Sequence, residues 1–187
     1  QIVACENNRP NIKEDSHIGA GTTCEIYPEE YQRGTIYMAT GRRGYVGLVC
    51  LENARLDVAA AFDPKFVKEI GGLGRAAQRI LEEAGLPRIE NLENMTWKGT
   101  PPLTRTAPKI GGDRWLAVGD ATGYIEPFTG EGMAWAFASA LAVTPLALAP
   151  WHESHPQEWE KIYLRQIRSR QGICRTLAWI LRSQPLS

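Results

Sequence analysis

The residues with the most chemical content lie together in Trp115-Leu-Ala-Val-Gly-Asp-Ala-Thr-Gly-Tyr-Ile-Glu-Pro-Phe-Thr-Gly-Glu-Gly-Met-Ala-Trp-Ala. The run reads as an apolar strand, a carboxylate at its end, and a glycine-punctuated loop opening onto a helix of small residues. In α/β sheets, ligands bind at the carboxyl ends of strands. Gly130 and Gly132 let backbone approach a ligand where a Cβ would collide. The helix start after Glu131 offers unpaired N–H donors and partial positive charge, which suits an anion or an oxygen that becomes negative during reaction. Asp120 cannot serve an anion, but it can accept hydrogen bonds from hydroxyl groups. A donor-rich helix start beside an acceptor calls for a ligand with both a polyol and an electron-accepting carbonyl.

Other reactive side chains carry less. Cys5, Cys24, Cys50 and Cys174 are scattered, with no CxxC pair and no histidine at ligand spacing. They are expected to be free thiols in a reducing compartment, which places the chain in the cytoplasm. His152-Glu-Ser-His155 lies between Pro150 and Pro156 and is expected to be a solvated loop rather than a metal site. No His, Cys or Tyr stands in a context that singles it out, so the catalytic residues are unassigned and no metal is expected.

The elements that must position the motif follow from patterning. Ile18–Ile26, Gly34–Thr40, Gly44–Leu51 and Arg55–Phe62 are expected strands. The last alternates, with Leu56, Val58, Ala60 and Phe62 on one face and Arg55, Asp57, Ala59 and Ala61 on the other. The links 41–44 and 52–55 are short enough for hairpins, so the sheet is antiparallel. Small residues on one face (Gly47, Ala59, Ala61) leave room for something to lie against it. Leu73, Ala77, Ile80, Leu81 and Ala84 share a helix face, and Gly85 is the stop signal. Met95–Lys98 is expected to be a short strand, the Pro101-Pro102 region an extended linker, and Trp115–Val118 a strand.

The stretch Met133 to Trp151 is apolar but alanine-rich, carries Ser139 and Thr144, and is interrupted by Pro145. A buried helix is expected there and no transmembrane segment. Pro156–Leu181 is expected to be an amphipathic helix or helix pair whose basic side, including Lys161, Arg165 and Arg168, faces water. Lys plus Arg and Asp plus Glu both number 21 in 187 residues, so the balance points to no nucleic-acid partner.

Gly119-Asp120-Ala121-Thr122-Gly123, followed by Pro127-Phe-Thr-Gly130-Glu-Gly132-Met133, resembles the second FAD-contacting motif of the glutathione-reductase-type flavoproteins. Within them it looks most like the geranylgeranyl reductase and aromatic-hydroxylase branch. The resemblance implies FAD as cofactor, with NADH or NADPH as the electron donor. It places Asp120 on the ribityl chain, and Gly130, Glu131, Gly132 and Met133 at the pyrimidine edge of the flavin, with Gly119 in the turn and Pro127 shaping the loop that faces the ring. The earlier sheet resembles that family's substrate domain, so the likeness covers most of the chain, strongly at 115–136 and loosely elsewhere.

The family also uses a strand and a G-x-G-x-x-G turn for the FAD pyrophosphate, and none occurs here. Gly71-Gly-Leu-Gly74 lacks the preceding buried strand and the spacing. The expected fold is therefore α+β, an α/β flavoprotein fragment: an antiparallel substrate-domain sheet over 1–100, the C-terminal part of an FAD-binding domain over 101–150, and an amphipathic helical segment over 151–187, with the N-terminal Rossmann unit missing. The expected function is an FAD-dependent reductase or monooxygenase for an apolar or aromatic small molecule. Two alternatives stand beside it: a non-enzymatic module binding a hydrophobic ligand, and a split-enzyme subunit completed by a second chain.

Overall fold

The computed structural model of the chain describes residues 10–126, 130–169, 171, 172 and 176. In chain order these form β1 (Asn11–Ile12), β2 (Ile18–Cys24), β3 (Ile36–Gly41), β4 (Gly44–Cys50), β5 (Leu56–Phe62), α1 (Pro64–Ile70), α2 (Leu73–Glu83), β6 (Lys98–Pro102), β7 (Arg105–Thr106), β8 (Gly111–Gly112), β9 (Trp115–Leu116), β10 (Gly123–Tyr124), α3 (Gly132–Leu148) and α4 (His155–Tyr163). They divide into two compact units. One is built on Asp15–Leu103, the other on the chain from Thr104 onward with the short segment before Asp15.

The first unit is a five-stranded antiparallel sheet in the order β3-β4-β5-β2-β6. The alternation in β5 sets its faces. Leu56, Val58, Ala60 and Phe62 are buried with Val46, Leu48, Ala39 and Cys24, and they pack with Ala76, Ala77, Ile80 and Leu81 of α2. The helix therefore buries the face its periodicity requires, although Ala84 is exposed. Gly85 ends this helical segment at φ +68°, the left-handed conformation glycine adopts without cost.

The opposite sheet face carries a row set by the register, Met38–Gly47–Ala59–Gly21–Lys98, whose three central members have no side chain beyond a methyl group. One end of that row opens into a shallow pocket of about 530 Å³ lined by Gly21, Thr23, Asp57, Ala59, Met95 and Lys98. Strand β6 corrects two expectations. It runs over Lys98–Pro102 rather than Met95–Lys98, and the Pro101-Pro102 segment is strand, not linker. It is an edge strand, where proline is tolerated, and its register on β2 shifts between Ile18 and Ala20.

Helix α1 was not anticipated, yet its start carries a clear signal. The Asp63 side chain accepts from the Lys65 amide at 2.8 Å, and Pro64 takes the first helical position. Arg43 bonds the same carboxylate at 3.1 and 3.2 Å and also reaches Glu69. Burial pushes the Asp63 carboxyl upward, but the Lys65 amide and Arg43 outweigh it and hold it below its ordinary value. A carboxyl lowered in the folded state stabilises the fold above the unfolded value of about 3.9, and that stability is lost as pH falls through the lowered one. Asp63→Asn is expected to flatten part of the acid fall of the urea midpoint. An unchanged profile would remove Asp63 from the acid response.

The second unit pairs β7 with both β1 and β10 in a small antiparallel sheet, and β8 with β9 in a two-residue ladder. The expected strand Trp115–Val118 is thus paired only at Trp115–Leu116, continued by the Ala117 amide bonding Ile110 O at 2.8 Å. Gly123 is required by this sheet. Its φ is +136°, and a Cβ would stand 2.9 Å from Arg105 O.

Helix α3 departs from expectation twice. It continues through Pro145 to Leu148 rather than breaking there, and it is not a buried helix. Only Ser139 and Val143 are buried, whereas Met133, Phe137, Leu141 and Leu148 are all more than 70% exposed. The acceptor orphaned by Pro145 belongs to Leu141, on the exposed side where water can replace the bond. A helix apolar on both sides is suited to being covered on both.

Helix α4 runs on through a π-helical turn at Leu164–Arg168, and Trp159, Tyr163 and Ile167 fill the core under α3. His155 corrects the expectation of a solvated loop. It is the first residue of α4 and buried, edge-on to Trp151 at 5.4 Å. Ile173, Cys174, Leu177 and Leu181 lie outside the described residues. No helix among the described residues is long and apolar enough to cross a membrane.

Candidate functional site

The motif folds as a tight turn facing a helix start. After Val118 the chain enters a 3-10 turn over Gly119–Thr122, with Gly119 at φ +55°, and then β10. Gly119 packs on α3, where an added Cβ would meet the Ala136 Cβ at 3.2 Å. A glycine satisfies both the positive φ and the close approach. Asp120 follows with its side chain exposed.

Between this turn and α3 lies a narrow cleft lined by Gly119, Asp120, Tyr124, Gly132, Trp135 and Ser139, with Thr122, Tyr163, Ile167 and Gln171 also in its lining. Only about 10 Å³ of it can hold a water-sized body. That is room for about one water, so a larger ligand can only lie against its mouth.

Of the residues expected from sequence, Gly119, Asp120 and Gly132 are brought together here. Gly130, Glu131 and Met133 do not line the cleft, and Met133 is 76% exposed. Pro127 lies outside the described residues. Gly130 is left-handed at φ +71°, and among the described residues, chain neighbours and the helix's own backbone aside, no atom lies within 4 Å of where a Cβ would stand on it or on Gly132. The first turn of α3 has amides with no intrahelical acceptor, the first helical bond being Trp135 N–H to Glu131 O at 3.0 Å.

Tyr124, Trp135, Ser139 and Tyr163 were not singled out from sequence. Tyr124 follows the Gly119–Gly123 block directly, and Ser139 lies two helical turns beyond Gly132, so both had a positional signal. Tyr163 had none. Burial and then the Asp120 charge raise the Tyr124 phenol above its ordinary value, so it faces the cleft as a hydroxyl donor. Its ring lies 5.5 Å from the Arg105 guanidinium.

Burial, followed by the Asp57 charge, pushes the Cys24 thiol up to about 11, which suppresses the thiolate at neutral pH. Cys24 and Cys50 are free. Among the described residues, no group of three or more His, Cys, Asp or Glu side chains is placed to hold a metal ion.

Solved structures supply the outside comparison. A flavoprotein/dehydrogenase from Cytophaga hutchinsonii superposes with a TM-score of 0.64 at 16% identity, covering 93% of this chain and 44% of that one. A flavin-dependent halogenase from Xanthomonas campestris gives 0.61 at 10% identity, covering 93% and 32%. A probable FAD-dependent monooxygenase from Pseudomonas aeruginosa gives 0.56 at 16% identity, covering 92% and 50%. The chain has a flavoprotein fold. It spans a third to a half of the length of these flavoproteins. No protein-family model matches the sequence, and no curated protein matches it.

The cleft can be tested against a flavin on its own chemistry. The exposed carboxylate acceptor at Asp120, at the rim of the slot, suits ribityl hydroxyls lying against its mouth. The bare start of α3 suits a carbonyl that gains negative charge. These residues fit the ribityl chain and ring edge of a flavin, but the 187 residues contain no G-x-G-x-x-G turn to fit its pyrophosphate.

Proposed function

We propose that this chain is the flavin-contacting part of an FAD-dependent oxidoreductase, a reductase or monooxygenase of the geranylgeranyl reductase and aromatic-hydroxylase branch. The observation that carries this reading is the convergence of the Asp120 acceptor and the Gly132 start of α3 on one narrow cleft. Asp120 accepts from the ribityl hydroxyls. The first-turn amides of α3, with Gly132 leaving the approach clear, stabilise charge at the pyrimidine edge; Gly130, Glu131 and Met133 shape the entry to that helix. When bound, the flavin supplies the redox chemistry, with NADH or NADPH as donor, and the protein supplies position and electrostatics.

The small residues Ala59 and Gly21, beside Gly47 which the Met38 side chain covers, support an apolar or aromatic small molecule as substrate, because they leave room for it against the sheet. Full FAD affinity requires a nucleotide-binding unit outside these 187 residues, carried by further sequence or by a second chain.

Asp120→Ala tests the reading. Loss of hydrogen bonds to a charged acceptor is expected to weaken flavin binding by about 1.5–3 kcal/mol. Because Asp120 is exposed, the unfolding midpoint should stay where it is. Flavin affinity unchanged by the substitution would rule out this role for Asp120.

A further inference from the structure

Both polar groups of Gly119 are held by buried side chains, its N–H by Ser139 of α3 and its C=O by Thr122 of the same turn, which Tyr163 of α4 backs. Its N–H donates to Ser139 Oγ at 2.8 Å, and that hydroxyl in turn donates to Ala136 O at 2.8 Å. Its C=O lies 2.7 Å from Thr122 Oγ1, which is also 2.9 Å from Tyr163 Oη. Thr122 has one proton and a carbonyl can only accept. The threonine proton therefore goes to Gly119 O, and the tyrosine O–H donates to the threonine. Two residues earlier in the same run, Ala117 O accepts from Trp159 Nε1 at 2.9 Å. Ser139, Thr122 and Tyr163 are 1%, 6% and 5% exposed, so none of these groups exchanges its partner readily with water.

We propose that Ser139 of α3 and the Thr122–Tyr163 relay from α4 are positioning residues, which fix the direction of the Asp120 side chain by clamping Gly119 from both sides. The proposal rests on the flavin reading of Asp120. The geometry has a specific consequence. Gly119 sits at φ +55°, where the peptide has neighbouring rotations open to it, and its Cα already packs against Ala136. Without the clamp the Asp120 carboxylate samples directions away from the cleft. With it, the Cα–Cβ direction of Asp120 is fixed, and binding has to order only the side chain's own rotations. Ser139 also belongs to the helix whose start forms the other side of the cleft, so the acceptor and the donors are set by one rigid element. Of this network only Asp120 would touch the ligand's hydroxyls; Ser139, Thr122 and Tyr163 act through it.

The test uses the full chain and two probes: riboflavin, which has the ribityl chain, and lumiflavin, which has the ring without it. Ser139→Ala and Tyr163→Phe are expected to weaken riboflavin binding about three- to tenfold and leave lumiflavin unchanged. Neither should weaken riboflavin further in an Asp120→Ala background. In Ser139→Ala, hydrogen exchange at the Gly119 amide should accelerate. Tyr163→Phe keeps the ring beside Trp159, so it remains informative if Ser139→Ala fails to fold. Equal weakening of both flavins, or losses that simply add to that of Asp120→Ala, would mean a merely structural role and overturn the proposal. Normal riboflavin binding in both variants while Asp120→Ala is impaired would overturn the clamp alone. No effect of Asp120→Ala on riboflavin, or no riboflavin binding by the wild-type chain, would overturn the flavin reading and the clamp with it.

Discussion

Gly132→Val is expected to leave the fold intact and to reduce flavin affinity by at least about tenfold, more than 1.4 kcal/mol. Two observations separate these effects. Among the described residues, chain neighbours and the helix's own backbone aside, a Cβ at position 132 meets no atom within 4 Å, so the added side chain clashes with none of them. The residue is not in the left-handed region, and a β-branched residue in the first helical turn costs only about 0.5 kcal/mol. The same space is where a flavin edge would approach the first-turn amides, and two methyl groups there keep it at a distance. Gly130→Val is a poorer test, because φ +71° makes any side chain strained whatever the ligand does. Equilibrium titration with riboflavin beside a thermal melt reads both effects. A Gly132→Val protein that melts normally and binds as tightly as wild type would remove the α3 start from the flavin site.

Gly74→Ala is expected to be the most damaging methyl group that can be added to α2. In a helix interior alanine is normally favoured over glycine by about 1 kcal/mol. Here the Cβ would stand 2.3 Å from Leu92 O, 2.5 Å from Glu93 Cα and 2.9 Å from Leu92 C, all of them backbone. No side chain can swing away, so the Leu92–Asn94 turn or the helix itself must move, and Leu92 is buried in the core. Overpacking of this kind costs about 1–3 kcal/mol and exceeds the helix preference. Urea unfolding should show a clearly lowered midpoint. An unchanged midpoint would mean that the turn is not seated on α2 at Gly74. The Gly71-Gly-Leu-Gly74 run thus has a packing role at its last glycine.

How far the sequence could be read depended on the range of the interaction concerned. The alternation in Leu56–Phe62, the short hairpin link at 41–44 and the Gly85 stop are local, and the sheet and α2 follow from them. The Asp63-Pro64 start of α1 was equally local, but the helix is only seven residues long and shows no full apolar repeat. Pro101 and Pro102 argued against a strand because the edge position that tolerates them is a property of the whole sheet. Helix α3 was expected to be buried since it is apolar all round, yet composition does not say what covers each side. At the site, Gly119, Asp120 and Gly132 were legible because turn, acceptor and helix start are contiguous in sequence. Tyr163 was not, because the hydrogen bond that makes it part of the site spans 41 residues.

The most direct measurement is an NMR titration of the full chain, with each backbone amide resolved, using riboflavin and then FAD. Shift changes are expected at Gly119–Tyr124 and along the first turns of α3 from Gly132, with similar weak affinities for the two ligands. The ring and ribityl contacts are shared, and these residues offer the adenosine diphosphate half no Gly-rich turn. Shifts confined to the sheet of Asp15–Leu103, or FAD binding a hundredfold tighter than riboflavin, would contradict a site made of the Asp120 turn and the α3 start alone.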